Sequence, residues 1–152
     1  MLRSNDAISG QEGKATAIIN GNVVDMFYLK TLEAGIDKRK KEIRSVGTRG
    51  TSHKASGFNG TGTMTIYYIT SIFRKMMLDY IKTGVDTYFT ITAYNDDPGS
   101  TVGRQTIVLY RVNLDSVAFI KLDSEMEGLE EDVAFTFEDI DMLDQFGNPV
   151  VL

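Results

Sequence analysis

The chain has 152 residues, 42% hydrophobic and 24% charged, with a net charge of −5, which suits one folded domain, taken as residues 1–152, with a buried core. It contains no cysteine, which excludes a disulfide framework, thiolate chemistry and any Cys-based zinc site. The acidic balance speaks against a general nucleic-acid binder, and no apolar run nears the roughly 18 residues that cross a bilayer.

The first residues, MLRSNDAISGQEGK, lack the apolar core of a signal peptide, so assembly in a cytoplasm without membrane anchoring is expected. Next, GKATAIINGNVVDMFYLKTLEAGI places Asn20-Gly21, the favoured type I′ hairpin dipeptide, between two runs of strand character. The second run continues through LEAGIDKRKKEIRSV, where Leu32, Ala34 and Ile36 alternate with Glu33 and Gly35. The glycine-rich stretch GTRGTSHKASGFNGTG follows, and a long loop is expected over about 44–62. Rich in Gly, Ser and Thr, with Arg44, Arg49 and Lys54, it cannot bury itself, and loops of this length are usually functional. TGTMTIYYI then shows period two, with Met64, Ile66 and Tyr68 on one face and Thr63, Thr65 and Tyr67 on the other.

One segment switches period. In TSIFRKMMLDYIKTG, Ile72, Phe73, Met76, Met77, Tyr80 and Ile81 recur at helical spacing, while Arg74, Lys75, Asp79 and Lys82 fill the opposite side. Thr70 or Ser71 supplies the N-cap, Lys82 suits the negative C-terminal end and Gly84 the C′ position. The methionine pair is read as core packing rather than a partner-binding stripe. Strands resume with DTYFTITAY, a turn at NDDPGSTVG, then RQTIVLYRVN, SVAFIKL and EDVAFTFEDI, the last with Val133, Phe135 and Phe137 inward. Pro98 and Pro149 fall outside the expected strands. The fold class is mainly β (α+β): an antiparallel β-sandwich or incomplete barrel of about seven strands, one flanking amphipathic helix (about 71–83) and the long glycine-rich loop.

Charge is unevenly spread. Residues 1–112 carry 15 Lys and Arg against 10 Asp and Glu, whereas residues 113–152 carry 1 against 11. This describes either two solvated faces or copies that attract one another head to tail.

No catalytic constellation emerges. The glycine-rich stretch lacks the P-loop order of glycines and lysine and leads into a strand. GFNGTG does not match the dinucleotide fingerprint and opens no helix. Asp123, Glu125, Glu127 and Gly128 imitate half a calcium loop, but Ala134 stands where a bidentate Glu should close it. His53 is the sole histidine and lies in a polar stretch, so an exposed residue is expected rather than a metal ligand or triad base. Asp96–Asp97 and Glu130–Glu131 give no sign of sharing a pocket. No cofactor and no metal are expected.

GTRGTSHKASGFNGTGTMTIYYITSIFRKMMLDYIKTGVDTYFTI, followed by LEEDVAFTFEDID and preceded by ISGQEGKATAIINGNVV, resembles the tail tube proteins of contractile-tailed phages. It is similar to the defective-prophage type of Gram-positive bacteria and to R-type phage-tail-like bacteriocins; the C-terminal QFGNPVVL stands outside the resemblance. The resemblance implies a structural virion protein, not an enzyme: a β-sandwich with a flanking helix, six copies closing into a ring through a continuous β-barrel. Rings would stack into a hollow tube with an acidic lumen, partnered by a tail sheath, baseplate and tail-terminator proteins, with DNA only as transient cargo. It also implies that the long loop reaches neighbouring copies, which makes Arg44, Arg49, Ser52, His53, Lys54, Phe58 and Asn59 interface candidates. Tyr67 and Tyr88 join them as apolar edge residues. Whether the particle is a phage or a DNA-free bacteriocin stays open. The rival readings are a β-sandwich module whose loop grips a polyanion or glycan, and, more remotely, a hydrolase using His53.

Overall fold

The computed structural model describes residues 2–148. After a 3-10 turn at Ser4–Asp6, the chain forms β1 (Gly13–Ile19), β2 (Asn22–Asp25), β3 (Leu29–Ile43), β4 (Ser52–Tyr67), helix α1 (Ile72–Thr83), β5 (Phe89–Asp96), β6 (Arg104–Ser116), β7 (Glu130–Phe137) and β8 (Asp139–Asp144). The strands are antiparallel in the order β2-β1-β5-β6-β7-β4-β3, with β8 on β6. The sheet does not close: β2, β3 and β8 each pair on one side only among the described residues. The mainly-β architecture with a single long helix agrees with the sequence reading.

Local chemistry explains the elements. Asn20 and Gly21 both take positive φ, 51° and 80°, the type I′ geometry that aligns Ile19 with Asn22 across the β1–β2 hairpin. In β7, Glu131, Val133, Phe135 and Phe137 are buried and the residues between them are not, as period two requires. Helix α1 ends at Gly84, whose φ of 74° lets its N–H donate to the Tyr80 carbonyl at 2.8 Å. At the other end Ser71 holds the cap position without a side-chain bond; the Ile72 N–H donates instead to Thr70 Oγ1 at 3.3 Å.

The core lies between the two leaves of the bent sheet. Ala15, Ala17, Ile91 and Val112 from one leaf meet Met64, Ile66, Val133 and Phe135 from the other, and α1 adds Phe73 and Met76. A Phe or Met buried this way contributes about 1.5–3 kcal/mol. Strand β6 turns the corner at Arg111, whose φ is 57°. Up to Tyr110 it pairs with β8, and from Asn113 with β7. The Glu138 N–H donates to the Tyr110 carbonyl at 3.1 Å, where β7 gives way to β8.

Two expectations are corrected. The loop placed at 44–62 is mostly strand: β4 begins at Ser52, and only residues 44–51 connect it to β3. Gly60 and Gly62 there lie opposite Phe137 and Phe135, whose rings occupy the space a Cβ would need, so these glycines are sites of close packing rather than flexibility. SVAFIKL is no strand: β6 runs on to Ser116 and the chain then leaves the sheet. The described residues form eight strands, in line with the expected about seven; the second run breaks into β2 and β3 at residues 26–28 and EDVAFTFEDI continues as β8. Pro98 sits in a turn, while Pro149 and the residues after it lie outside the described residues.

Candidate assembly surfaces

Strand β4 pairs with β7 only from Gly60 to Tyr67. Its first half, with its β3 partners, continues beyond the sheet as a two-stranded arm, and every residue from 33 to 59 is exposed. Gly57, at φ 139°, sits where the register shifts between Arg39 and Lys40, and the Arg39 guanidinium covers the space beside it. Lys38, Arg39, Lys40, Lys41, Arg44, Arg49 and Lys54 outnumber Asp37 and Glu42 on this arm. Among the described residues only Arg44 has an ion-pair contact there, 3.8 Å to Glu42. Lys41 and Lys54 face each other in register, an arrangement that costs stability unless anionic groups come near. Between the charges, Ile36, Ile43, Phe58 and a fully exposed Val46 present apolar surface.

The opposite end of β4 is built differently. The Tyr68 N–H donates to the Leu129 carbonyl at 2.8 Å and its hydroxyl to the Phe119 carbonyl at 3.0 Å, so one residue pins both ends of the 117–129 segment. Arg74 stacks 4.2 Å above the Tyr68 ring and bonds Glu131, anchoring that residue to α1 and β7. The pinned segment exposes Ile120 and Leu122, at 82% and 89%, together with Phe119. Asp123, Glu125 and Glu127 follow, none within ion-pair range of a cation among the described residues. Asp123 Oδ1 accepts the Glu125 N–H at 3.0 Å, a turn rather than a ligand cage. No cluster of three or more acidic or histidine side chains is placed to hold a metal among the described residues.

Elsewhere the perturbed groups have structural causes. Hydrogen bonding to Glu130, at 2.7 Å, together with its charge, holds Lys30 above the usual lysine range. Burial, then the charge of Asp25, pushes the Tyr28 phenol up, and its buried hydroxyl has no partner among the described residues. Glu130 and Glu131 turn to different cations, Lys30 and Arg74, and form no carboxylate pair. No helix among the described residues is long and apolar enough to cross a membrane.

The predicted interface residues divide among three places. Arg44 and Arg49 lie in the arm's connecting turn, and Ser52, His53, Lys54, Phe58 and Asn59 on its β4 side, all exposed. His53 stands opposite Glu42 in register. Tyr67 is at the far end of β4, and Tyr88 just precedes β5, its ring 3.9 Å from the Arg111 guanidinium carbon. Sequence reasoning missed the cationic run Lys38–Lys41 and the apolar-acidic segment after Phe119. The signal for the first was four cations within an otherwise alternating strand. For the second it was an apolar run leading directly into alternating acids.

The chain matches, over residues 1–144, the family described as phage tail tube protein. It is 45% identical over 141 residues to protein XkdM of the phage-like element PBSX of Bacillus subtilis (strain 168), covering 93% of each chain. It is also 45% identical over 144 residues to YqbM of the same organism, covering 95% of each. A solved structure of a Bacillus subtilis protein is 40% identical, with a TM-score of 0.52, covering 90% of this chain and 100% of that one. The fold is also that of a chain in the tube-terminating cap of the anti-feeding prophage, with a TM-score of 0.71 at 10% identity and 93% and 94% coverage. A chain of the sheath–tube complex of an extracellular contractile injection system gives 0.64 at 10% identity, with 90% of each chain covered.

Proposed function

The chain belongs to the phage tail tube protein family and is a structural subunit of a tail tube, and from that premise we propose how it assembles and with what. Six copies close side by side into a ring, rings stack into a hollow tube, and the tube is housed in a contractile sheath between a baseplate and a terminator. The observation that carries this reading is the β3–β4 arm, exposed from residue 33 to 59 and rich in cations of which only Arg44 has an ion-pair contact among the described residues. An open sheet supports lateral closure, because neighbours that pair edges remove the unpaired strands. Solved structures with this fold belong to a sheath–tube complex and a tube-terminating cap, which supports sheath and terminator as partners.

Arg44, Arg49, Ser52, His53, Lys54, Phe58 and Asn59 act as contact residues between copies, with Tyr67 and Tyr88 at lateral edges. Catalysis has no part in this role, and DNA, where the particle carries it, passes as transient cargo along a surface of like charge. The rival reading, a loop gripping a polyanion or glycan, has lost its loop, since residues 52–62 are strand.

Negative-stain microscopy of concentrated protein, alone and co-expressed with tail initiation components, tests the proposal. Hollow tubes of stacked rings are expected. A monodisperse monomer across salt and concentration, never recruited into tubes, would overturn it.

A further inference from the structure

We propose that the receptor for the arm is the pinned 117–129 segment of the next copy, so that successive rings are joined arm tip to segment. This rests on the tail tube reading and specifies which surface the arm meets.

The two surfaces lie at opposite ends of one strand. The arm leaves the sheet where Gly60 pairs with Phe137, and the segment hangs from the other end, where Tyr67 pairs with Glu130. The 16 residues of β4 span about 50 Å at the usual rise of an antiparallel strand. An arm therefore cannot bend back onto its own segment. A contact between the two is head to tail, and repeating it by translation gives an open filament rather than a closed dimer.

Their chemistry is complementary. The arm tip offers Val46 and Ile43 among cations of which only Arg44 has an ion-pair contact among the described residues; the segment offers Ile120 and Leu122 beside Asp123, Glu125 and Glu127. Each surface is costly alone, through like-charge crowding at Lys41–Lys54 on one side and apolar exposure above 80% on the other. Docking relieves both. The segment is also preorganised: Tyr68 fixes both its ends, and Arg74 and Glu131 fix Tyr68, so little conformational entropy is lost on binding.

The chain has no cysteine, so cross-linking reads this contact without background. Under oxidation, assembled V46C/L122C is expected to give a ladder of disulfide-linked multimers. A mixture of the V46C and L122C single variants should give dimers and nothing larger, and neither variant alone a ladder. E125K/E127K should raise the protein concentration needed for tube formation at least tenfold, and adding K40E/K41E to it should recover part of the loss. Tubes that form normally without a Val46–Leu122 cross-link, or that tolerate E125K/E127K unchanged, would overturn the proposal while leaving the tail tube reading intact. Failure of the unsubstituted protein to form tubes with initiation components present would overturn both, and microscopy separates the two results.

Discussion

Arg74 Nη1 lies 2.9 Å from both carboxylate oxygens of Glu131, and the two side chains are only 13% and 2% exposed. A second guanidinium nitrogen donates to the Thr70 carbonyl. This pair joins α1 to β7 at the root of the 117–129 segment. Arg74→Ala leaves the Glu131 carboxylate buried without a counter-charge, and a loss of about 3–5 kcal/mol is expected. Urea unfolding followed by circular dichroism measures it. R74M/E131L should recover most of that loss, because two apolar groups need no partner. A loss below about 1 kcal/mol for Arg74→Ala would show that the pair is not holding the helix.

The phenylalanines of β7 pack onto glycines of β4. A Cβ at Gly60 would lie 2.5 Å from the Phe137 ring, and one at Gly62 would strike the Phe135 ring and lie 2.9 Å from the Glu33 carbonyl. Gly62→Ala should therefore destabilise by about 1–3 kcal/mol through overpacking. Gly60→Ala, which meets only a side chain, should cost less. Adding Phe135→Leu to Gly62→Ala should cost less than the sum of the two changes, a coupling that a double-mutant cycle detects.

Asp6 gives stability a specific pH dependence. Its carboxylate accepts from the Thr101 hydroxyl at 2.6 Å and the Thr101 backbone N–H at 3.0 Å, which hold its pKa below the ordinary aspartate range. A depressed folded value means the stabilisation is complete above the unfolded pKa, near about 4. It fades as pH falls through the lowered folded value. Asp6→Asn should melt earlier than the unsubstituted protein at pH 6, and the gap should narrow below pH 4. A gap that stays constant across that range would assign the effect to packing instead.

The arm contributes little to the monomer's core. Replacing residues 37–59 by an Asn-Gly turn that joins Ile36 to Gly60, partners in register, should keep the β-rich circular dichroism signal and abolish tube formation. Loss of the folded signal would mean that the arm supports the sheet. His53→Ala, at an exposed site opposite Glu42, should change stability by less than about 0.5 kcal/mol and leave assembly nearly unaffected.

Much of the fold was legible because some segments obey a single rule. The helix was readable from its 3.6 spacing and from Gly84, and β7 from strict alternation that the buried Val133, Phe135 and Phe137 confirm. The misreadings share a cause: residue types chosen for a neighbour or a surface imitate other structure. Gly60 and Gly62 read as loop because the aromatic rings that fill their places come from a strand about 70 residues away. Ile120 and Leu122 read as strand because apolar residues usually mark a core, and here they are exposed. The methionine pair divided, with Met76 buried and Met77 partly exposed beside Ile81 at 61%. Of the candidate interface, the residues from Arg44 to Asn59 lie exposed on one arm, but their strand conformation and the cations of β3 across from them were not visible in the sequence. Register between distant strands is written in no local pattern.

Before any tube exists, each free copy carries β3, a 15-residue outer strand that pairs only with β4 among the described residues. Such edges invite indiscriminate sheet extension. Lys38, Arg39, Lys40 and Lys41 stand along this one, so two edges that met would bring positive charge against positive charge. By charge pattern these cations match the gatekeepers that oppose edge-to-edge pairing. Like charge along β3 disfavours a second copy of the same strand as its partner, whereas an acidic surface meets no such repulsion.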